Sequence, residues 1–516
     1  MKIGNLMQKF FMSNPKRAMW FLSTMPASFW EKQGKKKLLI SFHEAAEKVP
    51  AYKDFLKKNG LKDHTKIKTI ENFKEYVPIT NKKQYFNRYR REQLLSAPIQ
   101  EMYNFATTSG TTGEPVFWFR DKNQDWILPK YVRVVYQNCW EIDKKSTLWI
   151  VTYALGPWIA GELNTWLMKQ VSLDDPKLQL TIATPGANLD HVLYCIKKLA
   201  EDYDQIVIAG YPSFIKLVIN EGKNNGINWE KLSVKIQTGG EAVSDNWKSA
   251  VMCQLTDQKK PNSDSINTLL DVYGTADAGG IGFGSLLTNI IRKIASEDKK
   301  FCKQLFGEDY APSIVQYNPS AYYIEMLNED HIVLSSYSGV PLIRYDIEDV
   351  GGIVPYNKML KALDDNGYDI QKLLTENNTP KSYKVWRLPF VYVYSRQQAL
   401  SIASANVYPS QIEKIVLSAE QFNGYKLSKT EDEHGNSQFV IYLELKKNAK
   451  IENEKLLTLS EHYVLAILNH LKKVNTDFNQ ACIEDLATCL PIVKIYPFRD
   501  GPFAEDSNRT KPRLIV

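Results

Sequence analysis

The chain reads as an α/β protein built from more than one domain. Through residues 148–237, apolar runs too short for helices alternate with amphipathic stretches, the pattern of βαβ units on a largely parallel sheet. A hairpin pattern follows at residues 322–336, two apolar runs around Asn328-Glu329-Asp330, which marks a shift to antiparallel pairing. At 516 residues the chain also exceeds what one hydrophobic core serves, so two or more domains are expected.

Taken in order, residues 1–40 form an amphipathic N-terminal segment. Phe10-Phe11-Met12 and Met19-Trp20-Phe21-Leu22 are separated by Asn14-Pro15-Lys16-Arg17. Neither run reaches the roughly 20 apolar residues that span a bilayer, and no continuous apolar core with a small-residue cleavage site marks a signal peptide. Packing onto the main domain is expected, with membrane-surface contact through Trp, Phe and basic side chains as the alternative. Residues 34–60 and 66–97 read as helices with Lys-rich faces. Leu148-Trp149-Ile150-Val151, Ile206-Val207-Ile208-Ala209 and Val234-Lys235-Ile236-Gln237 read as buried strands, with helices at 190–202 and 213–221 between them. Residues 359–374 look helical with a break at Asp364-Asp365-Asn366-Gly367. Residues 396–516 read as a small α+β unit. Its parts are helices at 412–418 and 456–474, the latter with Tyr463, Ile467 and Leu471 on one face, and strands at 438–446 and 492–496. The body between, 41–395, is the main domain.

Composition is that of an ordinary globular chain, 44% hydrophobic and 24% charged. The net charge of +7 comes from 65 basic and 58 acidic residues, with no basic stripe interleaved with aromatics, so no nucleic-acid partner is expected. Cys139, Cys195, Cys253, Cys302, Cys482 and Cys489 contain no Cys-x-x-Cys pair, which points to free thiols in a reducing cytoplasm. The 7 histidines lack metal-ligand spacing, so a structural zinc is not expected.

One stretch carries chemistry: Thr107-Thr108-Ser109-Gly110-Thr111-Thr112-Gly113-Glu114-Pro115. Glycines let backbone N–H groups turn inward and hydroxyls add donors, which suits phosphate oxygens. A Ser/Thr-rich surface turn has the same composition. It is not a Walker loop, which needs Lys and then Ser or Thr after its second glycine; Glu114 follows Gly113 here.

With its companions downstream, the loop resembles the signature of the adenylate-forming superfamily of acyl-CoA synthetases, luciferases and peptide-synthetase adenylation domains. Leu270-Asp271-Val272-Tyr273-Gly274-Thr275-Ala276-Asp277 resembles the family's Tyr-Gly-x-Thr-Glu segment. Pro341-Leu342-Ile343-Arg344-Tyr345-Asp346-Ile347-Glu348-Asp349 resembles the segment that ends on a ribose-binding Asp. Arg396, then Asn406-Val407-Tyr408-Pro409-Ser410-Gln411-Ile412-Glu413, looks like the hinge and the strand–helix unit after it. Arg509-Thr510-Lys511-Pro512-Arg513 has the late Lys. Val49-Pro50-Ala51-Tyr52 and Val77-Pro78-Ile79-Thr80-Asn81-Lys82 are similar to the opening of the phenylacetate–CoA ligase branch.

The resemblance implies a large N-terminal domain of layered α/β subdomains plus a small β-barrel, and a small mobile α+β C-terminal domain. It implies activation of an aryl or acyl carboxylic acid by ATP with Mg²⁺, giving acyl-AMP, then transfer to a thiol, most readily CoA. Carboxylates need such activation because oxide is a poor leaving group, and phosphate donors with nearby positive charge stabilise the transfer. By the same resemblance Thr108, Ser109, Gly110, Thr111, Thr112 and Gly113 hold ATP phosphates. Gly239, Gly240 and Glu241 line adenine, with Asp271, Tyr273, Gly274 and Thr275 beside the nucleoside. Asp277 is the Mg²⁺ ligand and acts in catalysis with Lys511. Asp349 binds ribose, and Arg396 with Gln398 forms the hinge. Residues 353–385 look inserted between these two sites, as a surface elaboration. Tyr153, Trp158 and Tyr211 are pocket candidates in which aromatics flank the acid, or equally core residues.

Four departures stand out: Glu114 replaces a common Lys, Ala276 a hydroxyl residue, Ser404 a Gly at the pantetheine tunnel, and one residue is missing between Arg396 and Asn406. They favour one rival to CoA ligation, a nucleotide-binding scaffold without chemistry, against which the retained Asp277, Asp349 and Lys511 argue. The runner-up among enzymes passes the acyl group to an amine or carrier-protein thiol.

Overall fold

The computed structural model describes residues 10–107, 117–122, 126–256, 265–328, 330–396, 399–417, 421–446, 453–508 and 515–516. Helix α1 (Pro15–Thr24) begins where Asn14 accepts a hydrogen bond from the Arg17 N–H and Pro15 takes the first turn, so the polar break between the two apolar runs is a helix start. Its Ala18, Phe21 and Leu22 are buried in the main core, and the Arg387 N–H donates to the Leu22 carbonyl at 3.1 Å. Leu22→Ala is expected to destabilise the whole protein by about 2–5 kcal/mol in urea unfolding. An unchanged midpoint would mean that α1 detaches before the core melts.

The helix expected at 34–60 is two helices, α2 (Ala27–Lys48) and α3 (Pro50–Lys58), split at Val49, whose ψ of 108° is the extended value that a following proline imposes. The helix expected at 66–97 does not form as one element. Only Ile70–Tyr76 and Arg91–Leu94 are α-helical, and Val77-Pro78 ends the first.

Two short strands, β1 (Asn104–Thr107) and β2 (Phe117–Arg120), pair antiparallel on either side of residues 108–116. The parallel half of the main sheet then forms from β3 (Thr147–Val151), β4 (Leu180–Ala183), β5 (Gln205–Gly210), β6 (Val234–Gly239) and β7 (Leu269–Thr275). Antiparallel strands continue it: β8 (Gly279–Phe283), β9 (Ser313–Tyr317), β10 (Tyr323–Leu327), β11 (His331–Ser336), β12 (Leu342–Val354) and β13 (Phe390–Arg396). All are hydrogen-bonded in one 11-stranded order, β10-β11-β12-β13-β9-β8-β7-β6-β5-β3-β4. The expected hairpin is β10–β11, with Leu327 opposite His331.

β3 and β5 are buried at every position, as continuous apolar runs in a parallel sheet require, and helices cover both faces. Helices Tyr356–Asp365 and Ile370–Glu376, within residues 353–385, bury Met359, Leu363 and Leu374 in the main core, deeper than a surface elaboration lies.

The C-terminal unit starts with a hairpin, β14 (Leu400–Ile402) and β15 (Ala405–Val407), followed by the helix Pro409–Leu417. β16 (Phe422–Glu431), β17 (Ser437–Leu445) and β18 (Ile492–Tyr496) make a three-stranded sheet, with Asn453–Val474 packed on it and Tyr463, Ile467 and Leu471 buried. All six cysteines are free, four of them buried. Among the described residues, no helix is long and apolar enough to cross a membrane.

Candidate active site

The parallel strands deliver the predicted residues to one place. β3 runs into Tyr153, β5 into Tyr211, β6 into Gly240 and Glu241, and β7 into Asp277. Because β4 lies on one side of β3 and β5 on the other, the winding reverses there. Ligands of open α/β sheets bind beyond the carboxyl ends of the strands at such a point. A cavity of about 1050 Å³ occupies it. Thr107, Tyr153, Trp158, Tyr211, Gly239, Gly240, Glu241, Asp271, Tyr273, Gly274, Thr275, Asp277 and Asp349 all line it; no residue of 353–385 does. Residues 108–113, Glu114, Gln398 and Lys511 lie outside the described residues, and only the backbone of Arg396 is described. That backbone pairs with Asp349 across β12–β13. Ile515 and Val516, just past Lys511, are on the cavity wall.

Asp271, Asp277 and Asp349 are each buried here. Asp277 is 7% exposed; Lys82 Nζ lies 3.3 Å from its Oδ2, and the Tyr345 hydroxyl donates to the same oxygen. Asp349 accepts from the Tyr273 hydroxyl at 2.7 Å. Tyr345 thus serves Asp277, and Tyr273 serves Asp349. Asp271 accepts from Thr238 Oγ1, and Lys248 Nζ stands 4.0 Å away. Burial, then the charge of Arg292, lowers the Lys248 ammonium to about 8 against the pull of Asp271 and Asp245. The Thr275 hydroxyl accepts from the Ala278 N–H at 3.1 Å and so holds the turn that carries Asp277.

Lys82 was part of a motif noted only for its branch resemblance. The Thr80 N–H donates to the Arg344 carbonyl at 2.9 Å and its hydroxyl to the Ile343 carbonyl at 2.9 Å, which pins this segment to β12. Arg344 in turn donates to the Lys74 and Val77 carbonyls at 2.8 and 2.5 Å. The Pro78 break that ended the helix therefore lets an ammonium reach the site.

Tyr153 and Tyr211 meet edge-to-face, 4.9 Å between ring centroids, and burial pushes both hydroxyls well above the ordinary phenol range. They are cavity walls and packed residues at once. Trp158 is half-buried on the rim.

Glu241 lines the cavity, and its side chain is bonded to the C-terminal unit. Its side chain is 1% exposed, Lys429 Nζ lies 2.5 Å from Oε2, and the Ser404 hydroxyl donates to Oε1 at 3.0 Å. Ser244 donates to Glu431 at 2.6 Å nearby. These bonds seat the C-terminal unit on the β6 turn. Ala403 and Ser404 have φ of 44° and 68°, the left-handed pair of a two-residue hairpin turn. A Gly is the natural occupant there, and Ser404 instead supplies a hydroxyl to Glu241. Gly240, with φ of 85°, faces Tyr211 and Ser404 so closely that a Cβ would stand 3.0 Å from the ring and 3.2 Å from the hydroxyl.

Lys82, Lys248, Asn164, Gln237 and Lys429 are site residues that motif reading passed over. Lys82 lay inside a noted motif; the others carried no local signal.

No protein-family model matches the sequence, and no curated protein does. Solved structures do match. A 2-hydroxyisobutyryl-CoA ligase in complex with 2-HIB-AMP and CoA in the thioesterification state aligns with a TM-score of 0.56 at 13% identity, over 96% of this chain and 91% of that one. The same ligase in its postadenylation state with R3-HIB-AMP aligns with 0.53, at the same identity and coverage. At this identity the likeness is one of architecture: the chain has the fold of the adenylate-forming ligases, as its motifs imply.

Proposed function

We propose that this protein activates a carboxylic acid with ATP and passes the acyl group to a nucleophile, CoA in the first reading. What carries the reading is the convergence of Asp277, Asp349, Tyr273 and the Gly239–Gly240 turn on one cavity at the carboxyl ends of the parallel strands. A carboxylate oxygen attacks the α-phosphorus, the bond to the β-phosphate oxygen breaks, and pyrophosphate leaves. The acceptor then attacks the acyl carbon and AMP departs with the bonding electrons. The loop 108–113 cradles the outer phosphates. Asp349 takes the ribose hydroxyls, which suit a carboxylate acceptor held by Tyr273.

The donor set fits Mg²⁺, which is usually held by one or two carboxylates plus substrate phosphates. Asp277 offers a buried carboxylate whose Oδ1 makes no hydrogen bond among the described residues. When bound, Mg²⁺ neutralises phosphate charge. Lys82 beside it supplies a cation at the site. Six free cysteines suit a reducing cytoplasm, where we place the reaction. Trp20 and Phe10, 52% and 57% exposed, leave membrane-surface contact as a secondary proposal.

A second reading, transfer to an amine or a carrier-protein thiol, is favoured by Ser404 and by the acidic residues Glu431, Asp477 and Glu484 on the C-terminal wall of the cavity. Burial raises the Glu484 carboxyl to about 7, the range of a general base at neutral pH. ATP–pyrophosphate exchange across aryl and fatty acids tests the first step, and exchange with none sinks it in favour of a scaffold. Adding CoA or amines to an exchanging acid then identifies the acceptor. Asp349→Ala is expected to weaken ATP and AMP alike by about 1–3 kcal/mol. A calorimetric loss confined to ATP would move Asp349 from the ribose to the phosphates.

A further inference from the structure

We infer that the acid taken by this cavity is a monocarboxylate with an apolar body and one further oxygen, which accepts a hydrogen bond from the Tyr153 hydroxyl; the inference rests on the carboxylate-activating reading above. The ground is a chain of side-chain hydrogen bonds with a fixed direction. An indole N–H only donates, so Trp149 Nε1, 2.9 Å from Asn164 Oδ1, fixes which way that amide points. Asn164 Nδ2 must then donate to Gln237 Oε1, at 2.6 Å, and Gln237 Nε2 to the Tyr153 oxygen, at 2.9 Å. Turning either amide would set donor against donor or acceptor against acceptor. The Tyr153 oxygen is therefore an acceptor, and its own proton has no partner among the described residues.

That proton belongs to a residue 2% exposed, next to Gln237 at 2%, and both line the cavity. Burial holds the hydroxyl in its protonated form at neutral pH. Its oxygen stands 3.1 Å from where a Cβ on Gly239 would be, so it borders the open end of β6, beside the turn that faces the nucleotide site. A buried donor without an acceptor is unfavourable, and a ligand oxygen is the available remedy. Beyond it the wall is apolar, with Val132, Leu163, Leu167, Met168 and Phe283. The described cations on the cavity wall are already paired: Lys82 with Asp277, Arg292 with Asp245 and Lys429 with Glu241. A second anionic group on the acid would find no free partner among them.

Isothermal titration of the full chain tests this without turnover, using phenylacetate against mandelate and the three ring-hydroxylated phenylacetates, and octanoate against 3-hydroxyoctanoate. The best oxygenated acid is expected to bind at least about tenfold tighter than its parent, because a site with a buried donor rejects the analogue that leaves it unpaired. In Tyr153→Phe the ratio should fall to near one. Asn164→Leu should lower it as well with Tyr153 in place, since the freed Gln237 amide turns its oxygen to the Tyr153 proton. A ratio near one in the wild type, a ratio kept in either variant, equal weakening of parent and oxygenated acid in Tyr153→Phe, or binding of none of these acids overturns the inference. Discrimination in binding without pyrophosphate exchange for any acid keeps it and overturns the activating reading. Exchange with a ratio insensitive to Tyr153→Phe does the reverse.

Discussion

Asp277→Ala is expected to lower ATP–pyrophosphate exchange by at least about 10²–10³-fold, the scale for losing one preorganised electrostatic contact, while the protein stays folded. The fold survives because the carboxylate faces a cavity and supports little packing. Lys82, whose side chain is 32% exposed, can turn to water, and the main loss is the acceptor of the buried Tyr345 hydroxyl, about 1–3 kcal/mol. Asp277→Asn separates the two effects. It keeps an acceptor for Tyr345 but removes the charge, so it should restore stability and not exchange. Asp277→Glu should retain substantial activity, since a carboxylate returns one methylene further on. Near-normal exchange in Asp277→Ala with unchanged magnesium dependence would show the metal to be held elsewhere.

Lys511→Ala should slow adenylation by orders of magnitude and leave thioester formation from pre-made acyl-adenylate nearly intact. The chain just past Lys511 is tied to the C-terminal sheet: the Val516 N–H donates to the Leu427 carbonyl at 3.0 Å, and the Ser428 hydroxyl donates to the Val516 carbonyl at 2.6 Å. The described end of the chain, residues 515–516, therefore belongs to that unit. In the arrangement described, Glu241 holds the unit through Lys429 and Ser404, and the β14–β15 hairpin lines the cavity. If, as proposed, Lys511 meets the α-phosphate in one step and the hairpin serves the other, the unit has to turn between them, and the proposed hinge at Arg396 is where the resemblance puts that turn. Single-turnover assays of the two steps read the difference. Equal loss in both would mean a folding defect or a single working arrangement, and no loss in either would make Lys511 an ordinary solvated residue.

The alternation of short apolar runs with amphipathic stretches was enough to find β3, β5 and β6, because a strand buried on both faces must be apolar throughout. The same reasoning stumbled at 66–97. There the composition is helical, but Pro78 and the bonds from Thr80 to β12 hold the chain extended. Propensity is local, and it yielded to a partner more than two hundred positions away in sequence; the Thr80–Ile343 separation is 263.

What the sequence by itself made legible is the α/β class and the hairpin, and, through the family resemblance, the candidates Asp277, Asp349 and the Gly239–Gly240 turn, which the fold brings to one cavity. The class and the hairpin are read from periodicity, and the candidates from short motifs that resemble a family's, all of them properties of neighbouring residues. Only the tertiary structure decided who pairs with whom. Tyr345 serves Asp277 across 68 positions, Asn164 reaches Gln237 across 73, and Lys429 takes Glu241 across 188. The Glu241 carboxylate bonds the C-terminal unit, and the Tyr153 proton has no partner among the described residues. The reason is physical: a side chain's hydrogen-bond partner is set by which strand ends the sheet order brings together, and that order depends on contacts summed over the whole core.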